Sequence, residues 1–278
     1  MLAFLALASS LVWGSSDFVA GVLTRRVPAT VVVALSHGVG LVAMTLVLLA
    51  SALTGHAPGW HGWPAWALAA GVCGAGGLFC LYAALSSGTM GVVAPITSLA
   101  AVVPVLAGAA RGETPGTLAW VGMAVAVVGV VLASGPELTG GLPLRPLVMA
   151  ALAALLLGGS FVCLDGGGRH SVVATLWGMR ATSILIMAGP ALAVRRTTGL
   201  GRRDLWPLLG IGLGDLGANG LFAVASSRGM ISVASVLGSL YPVVTVLWAR
   251  AVLHERLRPV QGTGVGLSLV GVALLSLA

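Results

Sequence analysis

The sequence predicts an all-α, polytopic integral membrane protein, with about ten transmembrane helices arranged as two inverted five-helix repeats. Three observations predict it. Apolar residues make up 58% of the 278 residues and charged ones 8%, with a mean hydropathy of +1.07. A soluble domain needs about 25% charged residues to face water. The chain also breaks into apolar runs of bilayer length, and its two halves share an ordered set of motifs.

Crossing a bilayer as a helix takes roughly 20 mostly apolar residues. Breaks at Pro, Gly and Arg clusters leave ten such runs, near 3–23, 29–53, 64–86, 89–110, 116–134, 146–164, 171–194, 205–226, 230–252 and 260–277. The connections are too short for a separate soluble domain. Gly166-Gly167-Gly168-Arg169 reads as a flexible link between the sixth and seventh runs. The start, Met1-Leu2-Ala3-Phe4, carries no basic segment, so the first run is expected to be a retained helix.

The formal charge of +7 comes from fourteen arginines and no lysine. No basic run is interleaved with aromatics, so no nucleic-acid partner is expected. The odd-numbered connections hold Arg25, Arg26, Arg145, Arg195, Arg196, Arg202, Arg203, Arg256 and Arg258; the even-numbered ones hold Arg111, Arg169 and Arg228. The positive-inside rule puts the odd connections in the cytoplasm and both termini outside. The expected location is a cell (inner or plasma) membrane. Cys73, Cys80 and Cys163 lie in apolar runs without a CxxC pair, so neither a metal nor a disulfide framework is called for, and no cofactor is implied.

Residues 81–94 (LYAALSSGTMGVVA) and 221–234 (LFAVASSRGMISVA) agree at seven of fourteen positions. Pro104 and Glu113 recur as Pro242 and Glu255. The halves are therefore 1–140 and 141–278. Each holds an odd number of spans, so the second enters the membrane inverted, the arrangement of alternating-access carriers.

The first span's Leu11-Val12-Trp13-Gly14-Ser15-Ser16-Asp17-Phe18 resembles the opening Trp-Gly motif of the EamA-type permeases, the ten-helix branch of the drug/metabolite transporter superfamily. Val93-Ala94-Pro95-Ile96 through Pro104 to Gly112-Glu113 is similar to that family's helix, proline and Gly-Glu-Arg ending. Ser239-Leu240-Tyr241-Pro242 with His254-Glu255-Arg256 repeats it. Thr114 replaces the usual arginine, His254 the usual glycine, and Gly158-Gly159 stands where Trp-Gly would recur. The resemblance implies secondary transport, by export, of small metabolites such as amino acids, and no enzymatic activity.

Ionisable groups at bilayer depth are costly and mark sites. Asp215 falls in the middle of the eighth span, Arg180 in the seventh and Asp17 in the inner half of the first, with Asn219 one turn from Asp215 on the same face. As a substrate- or proton-binding set, Asp215 would take a cationic group or a proton, Arg180 a carboxylate, and Asn219 would fix orientation. The bland alternative is an Asp215–Arg180 pair that pins helices. Trp13, Tyr82, Phe222 and Tyr241 are candidate aromatic walls, with Trp13 and Tyr241 the leading two. His37 reads as a core histidine, and Trp60, Trp63 and Trp66 as an interfacial belt. Pro95, Pro104 and Pro242 are expected to bend spans four and nine. Gly262 with Gly266, and Gly264 with Ser268, suggest a homodimer face.

Two other readings compete. Gly212-Leu213-Gly214-Asp215 matches an intramembrane aspartyl protease signature, with Asp17 as the second carboxylate, but the Tyr-Asp partner motif is missing. A lipid-carrier flippase or a passive channel are the non-enzyme rivals. No HExxH, GxSxG or GxxxxGK[ST] is present, which leaves an ion-gradient carrier in the lead.

Overall fold

The computed structural model describes residues 1–24, 26–56, 58–87, 96–97, 99–133, 144–194, 200–253 and 258–277. Helices account for these residues almost entirely, as they must in hydrocarbon, where each backbone N–H and C=O needs a partner within its own segment. The first half runs α1 (Leu2–Thr24), α2 (Ala29–Leu53), α3 (Trp63–Ser87), a 3₁₀ turn at Leu99–Ala101 leading into α4 (Val102–Ala110), and α5 (Thr117–Ala133). The second half opens with a continuous helical stretch, Leu144–Val194, bent at Ser171, whose φ of −161° and ψ of 111° are extended. Its arms are α6 (144–170) and α7 (172–194). Then come α8 (Leu205–Ser227), α9a (Ile231–Gly238), α9b (Tyr241–Leu253) and α10 (Pro259–Leu277).

Six helices of the described residues are long and apolar enough to cross a membrane, the longest being the bent 50-residue pair, and three shorter apolar helices fill the remaining span positions. Large apolar side chains such as Leu46, Leu49, Leu185 and Leu269 point outward, where lipid covers them.

The helix contacts obey the duplication. In the second half, α8 and α9 receive α1; in the first, α3 and α4 receive α6. Exchanging halves turns each of these pairs into the other, while α2·α7, α4·α9 and α5·α10 map onto themselves. Gly14 and Gly158 perform matching tasks. A Cβ on Gly14 would stand 2.5 Å from the Tyr241 carbonyl oxygen, and one on Gly158 would overlap the Ala100 carbonyl and Val103. The backbones of α1 and α6 thus lie directly on the start of the helix carrying the repeated proline.

Four expectations change. Residues 166–168 form no loop: they are helical, and Gly166 lies flat beneath the Trp66 ring, 2.7 Å from where its Cβ would be. That tertiary cover holds three glycines helical against their intrinsic preference. The tryptophans are no simple belt, because Trp63 is buried against Ala67, Ala174 and Trp177, while Trp60 is exposed. Pro104 and Pro242 do not bend helix interiors. Each sits in the first turn of its helix, where a proline's missing N–H leaves no bond unmade, and the ninth span breaks just before Pro242, at Ser239-Leu240. Pro95, residues 88–94, His254-Glu255-Arg256 and the Tyr82 side chain lie outside the described residues.

The fourth change concerns Gly264 and Ser268, which face inward. A Cβ at Gly264 would overlap the Ala133 backbone, and Gly129 of α5 lies against Ser268. Gly262 and Gly266 face open space. Gly264→Leu should therefore separate α10 from α5 and cost about 1–3 kcal/mol of stability. Gly262→Leu should leave the melting temperature in detergent unchanged; equal losses in the two variants would refute this division.

Candidate substrate site

Asp215 stands midway along α8, and the glycines beside it let two helices close in. A Cβ on Gly212 would overlap the Ser36 carbonyl of α2, and one on Gly214 the Ser16 hydroxyl of α1. With both helices at this distance, the Asp215 carboxylate receives the Trp13 indole N–H on Oδ1 at 3.0 Å and the Arg180 Nη2 on Oδ2 at 2.5 Å. His37 Nε2 lies 3.8 Å from the same Oδ2. The cluster draws Trp13 and His37 from the first half and Arg180 and Asp215 from the second.

Arg180 is sealed, with 1% of its side chain exposed against 26% for Asp215. It runs along Gly40 of α2, where a Cβ would stand 3.2 Å from Nε. A lone guanidinium at this depth would be prohibitive, and the Asp215 carboxylate is what holds it there. Arg180 Nε, His37 Nδ1 and Ser183 Oγ have no hydrogen-bond partner among the described residues. Desolvated polar atoms of this kind raise the cost of the cluster, so α7 and α8 are held together here by the ion pair rather than by a saturated network.

Asn219 does lie one turn from Asp215, but its amide donates to the Asp215 backbone carbonyl at 2.7 Å, so it stiffens the helix carrying the carboxylate. Trp13 stacks obliquely on Phe161 and Phe222, with centroids at 5.3 and 5.9 Å, and meets Tyr241 edge-on at 6.4 Å. Phe161 escaped sequence reasoning because only the fold brings α6 to α1 and α8.

Asp17 is the one exposed polar side chain of α1. At about 100° per residue, it points about 40° round the axis from Trp13 and lies between the directions of Ala6 and Ser10. Ala6, Ser9, Ser10, Trp13, Gly14 and Ser16 on that side are buried, yet Asp17 is exposed. It therefore faces an opening inside the bundle and not lipid. Gly21, one turn on, is exposed with open space beside it, so the crevice leads to the face carrying the first connection. Asp17 is within electrostatic reach of Asp215 and Tyr241.

The opposite face is tied shut. Asp165, fully buried, receives Arg111 Nη1 at 2.6 Å and Arg169 through two bonds of 3.2 Å. Glu113, between α4 and α5, caps α9a by accepting from the Ile231 N–H at 2.7 Å, the Ser232 N–H at 3.1 Å and the Ser232 hydroxyl at 2.6 Å. All ten residues from Ile231 to Leu240 are buried. On the crevice face, Arg26 pairs with the buried Asp204. The Asp165–Arg169 spacing of four was the one sequence signal for this clamp. With Asp215 bonded to Arg180 and Trp13, the two membrane aspartates do not form the proton-sharing dyad that an aspartyl protease uses.

The EamA-like transporter family matches residues 1–135 and again residues 144–277. A solved structure described only as "Crystal structure of protein" superposes with a TM-score of 0.79 at 20% identity, over 99% of this chain and 96% of that one, a likeness of fold. A search among curated proteins finds no match. Two matched copies that together span nearly the whole chain, on a bundle of apolar helices, place this multi-pass membrane protein in the EamA-like transporter family.

Proposed function

We propose that the chain is a secondary transporter that exports small amphipathic metabolites, amino acids or their relatives, across the cell membrane by alternating access, coupled to protons. The observation that carries this reading is the cluster at Asp215, assembled from both repeats at mid-span. When one repeat rocks against the other, a site shared between them changes the face from which it is reached. The asymmetry of the two faces supports the same reading: a crevice reaches Asp17 from one side, while Arg111, Asp165, Arg169 and Glu113 close the other. In this state Asp17, Asp215, Trp13 and Tyr241 form the working set, Arg180 and Asn219 position Asp215, and a proton arriving through the crevice meets Asp17 first.

In proteoliposomes loaded with a pH-sensitive dye, saturable substrate-dependent proton movement is expected for the wild type and should be lost in Asp215→Asn. That variant also strands Arg180 and should cost about 3–5 kcal/mol of stability. Arg180→Gln added to Asp215→Asn should restore stability without restoring coupled transport; transport regained in the double variant would reduce the pair to a structural pin.

Asp165→Asn leaves two guanidinium groups without their anion and should loosen the closed face. A cysteine at Ser235, buried in α9a, should react with a membrane-impermeant maleimide about tenfold faster in the Asp165→Asn background, as a loss of about 1.4 kcal/mol dictates. An unchanged rate would remove Asp165 from the gate.

A further inference from the structure

We infer that the substrate is recognised as a cation, an ammonium or guanidinium group docking on Asp17, with its apolar body against Trp13 and Tyr241. The inference rests on the transport reading above and narrows its substrate class.

Charge accounting carries it. Of the five described carboxylates, Glu113 caps α9a, Asp165 holds two arginines, Asp204 holds Arg26, and Asp215 holds Arg180 and the Trp13 indole. Asp17 alone among them has neither an ion pair nor a hydrogen bond to a described residue, and it is the one exposed on the inward side of its helix. Arg180, the cation that a substrate carboxylate would need, is 1% exposed and bonded to Asp215. The pair satisfies itself, so Asp17 is the carboxylate that the crevice leaves open to a ligand. A carboxylate reaching this depth would find the Arg180 guanidinium sealed behind Asp215.

The surroundings fit an organic cation better than a small inorganic one. Trp13 lies one turn below Asp17 on the same side of α1, with Tyr241 edge-on to it, and Tyr241 is within electrostatic reach of Asp17. Aromatic faces attract a desolvated ammonium and pack its hydrocarbon part at once. Hard metal cations prefer several oxygen ligands, and no group of three or more candidate metal-binding side chains occurs among the described residues.

The test uses three compounds that share a phenyl ring and differ in charge: phenethylamine, phenylalanine and phenylacetate. Saturable binding of labelled phenethylamine to the full chain in lipid nanodiscs, corrected with empty nanodiscs, is competed with the other two. Phenethylamine should bind at least tenfold tighter than phenylalanine, and phenylacetate should not compete. Asp17→Asn should weaken the amine at least tenfold without lowering the melting temperature, and Asp17→Glu should retain most of the affinity. Equal or tighter binding of phenylalanine or phenylacetate, absence of saturable amine binding, or indifference to Asp17→Asn overturns the inference. Transport of zwitterions or anions by the same preparation would leave the carrier reading standing while this one fell; absence of any flux across a broad metabolite panel would remove the carrier reading.

Discussion

The bond between Asp215 and Arg180 is the constraint around which the bundle is organised. In a low-dielectric interior neither charge is tolerable by itself, and each is compensated by the other within hydrogen-bond distance. Satisfying it requires α7 and α8 to face each other with α2 laid over the guanidinium. Gly40 makes that overlay possible, and Gly214 lets α1 bring the Trp13 indole to the other carboxylate oxygen. Four helices from two repeats are thereby referred to one side chain. Arg180 Nε and His37 Nδ1, without a hydrogen-bond partner among the described residues, show that the arrangement is not optimised for stability alone.

The duplication supplies the scaffold and the site breaks its symmetry. Matched packing of α1 on α8 and α9, and of α6 on α3 and α4, gives two five-helix units joined through self-paired contacts of α2 with α7, α4 with α9, and α5 with α10. A charge repeated in both halves would double the desolvation cost. Asp215 has Ala75 as its counterpart in the first half, so the cost is met once and the crevice acquires a polarity.

Closure of one face depends on a capped helix start. The start of α9a presents backbone N–H groups that its own helix cannot satisfy, and Glu113 from the other repeat supplies acceptors for them. The same contact links the repeats. Glu113 was legible as a motif residue, but its role as a cap 118 residues away in sequence was not. Asp165 belongs to no such motif, and Arg111 reaches it only through the fold.

By itself, the sequence determined the all-helical membrane class, the two-repeat organisation and the two ionisable residues inside spans, Asp215 and Arg180. These follow from local physics: a bilayer of fixed thickness demands apolar runs of fixed length, and any ionisable residue inside one stands out against them. Tertiary structure decided what each charge does. It paired Arg180 with Asp215 and so withdrew it from ligands, turned Asn219 onto its own helix, and brought Phe161 to Trp13. It also kept 166–168 helical beneath Trp66 and left Asp17 facing an opening. Periodicity tells which side of a helix faces inward, but whether that side meets a neighbour or a crevice depends on helices distant in sequence, whose approach is set by glycines that composition alone cannot distinguish.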